Sequence, residues 1–141
     1  MNWTQAFITR LLADAPLNAL VGNRINWVER PQGEDFPAIT MQVVSDARNQ
    51  ILKGYDSIQP ARVQIDIWAP TYSAGREVLE AFLSAAVPAQ SGNGHTFSRA
   101  MVELPPRDLS ERLTFKDGSS KTVFRTSLDL IVNRAPTEEV S

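Results

Sequence analysis

The sequence predicts an α+β domain of two layers, in which helices cover one face of an antiparallel sheet of four to five strands. Three observations carry that expectation. The block Arg62-Val63-Gln64-Ile65-Asp66-Ile67-Trp68 alternates polar and apolar side chains without a break, the period of a strand with one face on a core. Two other segments carry apolar stripes at helical spacing, one starting at Trp3 and one ending at Ala86. Near the end, two alternating runs flank Asp117-Gly118-Ser119-Ser120, a hairpin signal. In chain order these read helix, strand, strand, helix, strand, strand, an arrangement in which helices pack on one side of the sheet.

The elements follow in sequence. Trp3, Phe7 and Leu11 fall at i, i+4 and i+8 with Ile8 and Leu12 beside them, so residues 3–13 form a helix. Asn2 and Gln5 are spaced as a capping box. Asp14-Ala15-Pro16 interrupts, because a residue before proline is pushed out of the helical region. Leu17 to Val21 forms a short second helix that Gly22 ends. Residues 23–36 read as irregular, with Arg30-Pro31-Gln32-Gly33 as a turn. Ile39, Met41 and Val43 alternate with Thr40, Gln42 and Val44, which makes Ala38 to Ser45 a strand. Asp46 to Pro60 is polar and too long for a tight hairpin, so it is either a projecting arm or a functional loop.

The strand 61–68 comes next, with Val63, Ile65 and Ile67 toward the core and Arg62, Gln64, Asp66 and Trp68 on the other face. Thr71 caps a second long helix whose stripe is Val78, Leu79, Phe82, Leu83 and Ala86, and Pro88 stops it. Gln90 to Gly94 reads as a flexible connector and Phe97 to Leu104 as a strand broken by Pro105-Pro106. In the last strand Phe124, Thr126, Leu128, Leu130 and Val132 face one way, and Arg125, Ser127, Asp129 and Ile131 the other. One domain is expected over residues 1–134, with a flexible polar tail over 135–141.

Bulk properties exclude several functions. The chain has 141 residues, 43% hydrophobic and 21% charged, ordinary for one globular core. With no cysteine it has no disulfide, thiolate metal site or cysteine nucleophile. A net charge of −2 argues against a protein that grips phosphate backbone through a basic surface. No apolar run approaches the roughly 20 residues needed to span a bilayer. Met1-Asn2-Trp3-Thr4-Gln5 lacks the basic start of a signal peptide, so a cytoplasmic location and no membrane partner are expected.

Nor do the residues assemble into a reactive set. His95 is the single histidine, sits beside Gly94, and reads as an exposed turn residue, since no His/Asp/Glu cluster is spaced for metal or catalysis. Gly92-Asn93-Gly94 lacks the pattern of a phosphate loop. Ser73 and Ser84 lack a nucleophile-elbow context. Asp66 and Asp129 would be a glycosidase-like pair only with a substrate pocket between them. A solvated or ion-paired strand face and an interface role both stay open for them. For Trp68, packing at a strand end and an interface role stay equally open. Arg48 and Lys53 are solvated loop charges or contacts to an acidic partner.

Several blocks line up in order: Leu11 to Gly22 (LLADAPLNALVG), Arg24-Ile25, Arg30 to Gly33 (RPQG), Pro37 to Ser45 (PAITMQVVS), Ala61 to Ala69 (ARVQIDIWA) and Arg125 to Val132 (RTSLDLIV). Together, over roughly residues 10–134, the chain resembles the tail terminator, or tail completion, family of long-tailed phages and phage-derived gene transfer agents. The resemblance implies an α+β subunit that forms a ring, typically of six copies, on the head-proximal end of the tail tube. Such a ring stops tube growth, offers a docking face to the head-completion or connector protein, and lets DNA pass through its hole. It implies no catalytic activity, no cofactor and no metal, with assembly in the host cytoplasm and a final place at the neck end of the virion tail.

Under that resemblance Asp66, Asp129, Arg62, Arg125, Trp68 and Trp27 are expected at the lumen or the subunit interface, and Arg48, Lys53 and Tyr55 on a loop that touches tube or neck. Exchanging Asp66 and Asp129 for lysine is then expected to impede DNA delivery with the ring intact. Two other readings stand beside it. One is a different head–tail connector or neck completion protein. The other is a ferredoxin-like regulatory domain that binds a small molecule in a cleft.

Overall fold

The computed structural model describes residues 2–28, 36–46, 50–51, 54–55, 59–114, 118 and 120–136. Helix α1 (Trp3–Leu12) starts at Asn2, whose side chain accepts from the Gln5 amide while the Gln5 side chain accepts from the Asn2 amide, the reciprocal box expected. Helix α2 (Ala15–Val21) begins two residues earlier than anticipated. Asp14 caps it by accepting from the Leu17 amide at 3.1 Å. Pro16 lies in its first turn, where a missing N–H removes no helical bond, so proline opens α2 where the sequence reading had it interrupting. Gly22 ends it at φ 58°.

A strand, β1 (Ile25–Trp27), then lies where irregular chain was expected. It pairs in parallel with β2 (Ala38–Ser45), so the sheet is not wholly antiparallel. Three residues are too few to show a period, which is why the sequence hid it. The 46–60 segment holds the short ladder of β3 (Gln50–Ile51) and β4 (Gly54–Tyr55), outside the main sheet. The Arg30-Pro31-Gln32-Gly33 turn lies outside the described residues.

Strand β5 (Gln59–Ala69) pairs antiparallel with β2 and leads to α3 (Tyr72–Ala86), capped by the Thr71 hydroxyl as expected. The expected connector at 90–94 is instead part of a hairpin of β6 (Gln90–Gly92) and β7 (His95–Phe97) turning on Asn93 and Gly94. His95 is therefore a half-buried strand residue opposite Pro136, not an exposed turn residue.

Strand β8 (Met101–Thr114) runs through Pro105-Pro106 without ending. It pairs with β9 (Ser120–Pro136), and the register shifts between Val102 and Leu104 and again between Leu104 and Arg107. Prolines are tolerated at such bulges in a strand with one paired side, which the rule against paired prolines overlooked. The β8–β9 hairpin about Gly118 (φ 86°) forms as expected. Ala135 and Pro136, assigned to the tail, extend β9 and pair with Thr96 and His95. Residues 137–141 lie outside the described residues.

The main sheet has seven strands in the order β1-β2-β5-β9-β7-β6, with β8 also on β9, more than the four to five expected and in a different order. Val63, Ile65 and Ile67 face Leu130, Leu128 and Thr126 across the β5–β9 ladder, and the helices bury Phe7, Leu11, Leu17, Val78, Leu79 and Phe82 in the same core. Each such large side chain contributes about 1.5–3 kcal/mol when removed from water. The Phe7 ring centroid is 6.4 Å from that of Trp27 on β1 and 5.7 Å from that of Phe97 on β7. A flat sheet would hold those two strands about 19 Å apart, at ~4.8 Å per step. The sheet therefore coils around α1, with the helix-bearing face inside.

Gly75 approaches the sheet from α3. A methyl there would meet Ala69 Cβ at 3.5 Å and Thr126 Oγ1 at 4.0 Å, both ordinary contacts. Gly75→Ala is expected to stabilise the fold by about 0.5–1 kcal/mol through helix propensity. Urea denaturation checks it, and a loss of stability would show that the helix–sheet approach is tighter than these distances.

Candidate functional site

Opposite the helices, alternation sends Arg62, Gln64, Asp66 and Trp68 of β5 outward, as the sequence reading placed them. The ladders set beside them Thr40 and Gln42 of β2, and Arg125, Ser127, Asp129 and Ile131 of β9. Neighbours on one face of antiparallel strands interact directly and diagonally. Both ion pairs here are diagonal. Arg62 Nε donates to Asp129 Oδ2 at 2.7 Å, and Arg125 Nε donates to Asp66 Oδ1 at 3.1 Å.

The remaining contacts tie this lattice together. Gln64 Nε2 donates to Asp66 Oδ2 at 3.0 Å. The Arg125 guanidinium stacks on the Trp68 ring at 5.0 Å, and the Trp68 indole donates to Thr40 Oγ1 at 3.1 Å. The carboxylates lie beneath the arginines: Asp66 is 8% and Asp129 6% exposed, while the Arg62 side chain is 38% exposed. Ser127 is 1% exposed and Thr40 7%. Each buried acid is thus paired and hydrogen-bonded, the condition for keeping a charge out of water. Chemically the face is a charge-balanced wall with no free carboxylate among these residues to act as acid or nucleophile.

Five of the six residues expected at a lumen or interface are brought together here: Asp66, Asp129, Arg62, Arg125 and Trp68. Trp27 is not among them. It packs edge-to-face on Trp3 at 5.9 Å and its indole donates to the Thr4 carbonyl at 3.0 Å, which fastens β1 to α1. Arg48 and Lys53 lie outside the described residues, as does the side chain of Tyr55, whose backbone in β4 pairs with Gln50 of β3.

Two buried arginines were missed. Arg134, 4% exposed, bonds Asp46 Oδ1 at 2.6 Å and stacks over Trp3 at 4.7 Å, joining the ends of β2 and β9 to α1. Its even-numbered place after Leu128, Leu130 and Val132 was the available signal. Arg10 lies seven residues after Trp3 on the same helical stripe. It donates to the Pro88 carbonyl and lies 5.7 Å over the Phe97 ring, while its Nε and Nη1 have no hydrogen-bond partner among the described residues. Burial pushes its pKa below the ordinary arginine value, against an opposing pull from Asp14.

Among the described residues no helix is long and apolar enough to cross a membrane. The model of one family, described as tail completion protein gp17, matches residues 5–102. Among solved structures the chain is similar to a chain of the virion of a native gene transfer agent particle, with a TM-score of 0.60 and 18% identity over 93% of each chain. No curated protein matches. An identity this low carries the shared fold alone.

Proposed function

The chain belongs to the tail completion protein gp17 family, and from that premise we propose that it closes into a ring on the head-proximal end of a tail tube. The ring ends tube polymerisation, because the face turned away from the tube offers no surface on which the next tube ring can seat. The same face receives the head-side connector. Action of this kind needs shape and edge complementarity and no reacting group.

The ion-paired face supports a place for DNA in this reading. A passage for DNA must not retain it, and binding to phosphates is driven by uncompensated cations. On this face each exposed arginine overlies a carboxylate, Arg62 on Asp129 and Arg125 on Asp66. We assign it to the lumen wall, with Trp68 held rigid by Thr40 and Arg125. Arg48, Lys53 and Tyr55, in the sequence between β2 and β5, are assigned to the tube or neck.

Tail length tests the reading. Without the chain, tubes are expected to overgrow and to remain unattached to heads, and supplying it in trans restores a single length. Tails of normal length that fail only to join heads would instead make it a connector component.

A further inference from the structure

We propose that the cavity between the start of α3 and the β8–β9 hairpin receives an arginine side chain from a partner protein, which pairs with Asp108 and lies against Tyr72. The proposal goes beyond the ring reading and does not require it.

Within the chain one three-part unit is complete twice. Arg125 donates to Asp66 at 3.1 Å and lies 5.0 Å over the Trp68 ring. Arg134 donates to Asp46 at 2.6 Å and lies 4.7 Å over the Trp3 ring. In each, a guanidinium gives its N–H fork to a carboxylate and its flat face to an aromatic ring. A third carboxylate, Asp108, stands among aromatic side chains without its cation. With Tyr72 and Gly75 of α3 and Phe124 and Thr126 of β9 it lines a cavity of about 170 Å³.

The fold explains why this site is open. Asp108 stands opposite Thr126 in the β8–β9 ladder, so both side chains share the helix-bearing face. Alternation turns the neighbouring Arg107 to the other face. Arg125 also borders the cavity, but its side chain serves Asp66 on the opposite face of the sheet. Thr126 Oγ1 donates to Asp108 Oδ1 at 3.4 Å, long for a hydroxyl bond. Among the described residues Asp108 takes part in no ion pair. Tyr72 and Leu109, 53% and 41% exposed, flank the mouth and give a long side chain apolar surface to cover.

Charge complementarity chooses the occupant. An apolar side chain would cover the carboxylate without a partner, at a cost in desolvation. An acid would be repelled. A metal ion needs several oxygen ligands, and no group of three His, Asp or Glu is placed to hold one among the described residues. Lysine supplies the charge but no flat face for the rings. Arginine supplies both, together with a stem for the apolar walls.

Titration of the isotope-labelled chain with N-acetyl-L-arginine amide, followed by NMR, tests the proposal. The amide signals of Gly75, Asp108 and Thr126 are expected to shift saturably, with half-saturation at roughly millimolar concentration. N-acetyl-L-citrulline amide, neutral and of nearly the same shape, is expected to shift none of them. Asp108→Asn, a change at an exposed residue, is expected to weaken binding about tenfold or more at unchanged Tm. Tyr72→Ser is expected to weaken it about two- to fivefold. No saturable shift, equal shifts with citrulline, or binding unchanged in Asp108→Asn would each overturn the proposal. Carbodiimide labelling of carboxylates then compares the free chain with assembled particles. Asp108 is expected to be modified in the free chain and protected about tenfold or more in particles. Equal labelling in the two would show that no partner fills the cavity and would overturn the proposal as well.

Discussion

Exchanging Asp66 and Asp129 together for lysine is expected to unfold most of the protein, not merely to change the charge of a channel wall. The carboxylates are 8% and 6% exposed and each accepts from an arginine at 3.1 Å or less. A lysine at either position removes an ion pair and forces a second cation against the guanidinium. Breaking one partner of a buried pair costs about 3–5 kcal/mol. Arg62 and Arg125 keep 38% and 24% of their side chains in water, so roughly 2–4 kcal/mol per site is the better figure. The two sites share the β5–β9 ladder and will not add independently. Together they still remove a large part of the ~5–15 kcal/mol that typically holds a domain together. Chemical denaturation reads this directly, and a double-lysine protein with unchanged midpoint would show that the pairs contribute nothing.

The isosteric pair Asp66→Asn/Asp129→Asn is therefore the cleaner probe of the lumen assignment. It keeps an acceptor for each arginine and leaves both guanidinium charges uncompensated. A folded ring with that change is expected to hold DNA in a salt-dependent way and to slow its passage.

Phe7→Ala is the second large effect. Phe7 is 1% exposed and stands between Trp27 at one sheet end and Phe97 near the other. Truncation leaves a cavity where the coiled sheet meets α1, a loss of about 3–5 kcal/mol. The space cannot collapse easily, because Trp27 is held by Thr4 and Trp3 by stacked Arg134. Phe7→Leu is expected to cost about 1–1.5 kcal/mol. The near-ultraviolet signal of Trp3 and Trp27 should fall with the alanine variant, and a loss below about 1 kcal/mol would mean that the sheet ends do not depend on this ring.

What the sequence made legible follows from range. Helices with a full stripe and caps, such as α1 with Asn2 and Gln5, are local and were readable. So was the outward set on β5, because strict alternation fixes which side chains share a face. The pairing of Arg62 with Asp129 and of Arg125 with Asp66 depends on register between strands about 60 residues apart, which no local pattern encodes. Strands of three residues, β1, β6 and β7, are too short to carry a period, and they are held by neighbours. The run of β8 through Pro105-Pro106 was misread because edge position is a property of the assembled sheet. The buried Arg10 and Arg134 were passed over because charge outweighed phase. Their phase was right for the core.

Capping is tested most directly by mixing the purified protein with its cognate tail tube subunit and imaging the tubes by electron microscopy. A ring at one end of each tube, with elongation from that end arrested, is the expected picture. Protein spread along the tube walls, or tubes that keep growing at both ends in its presence, would contradict it.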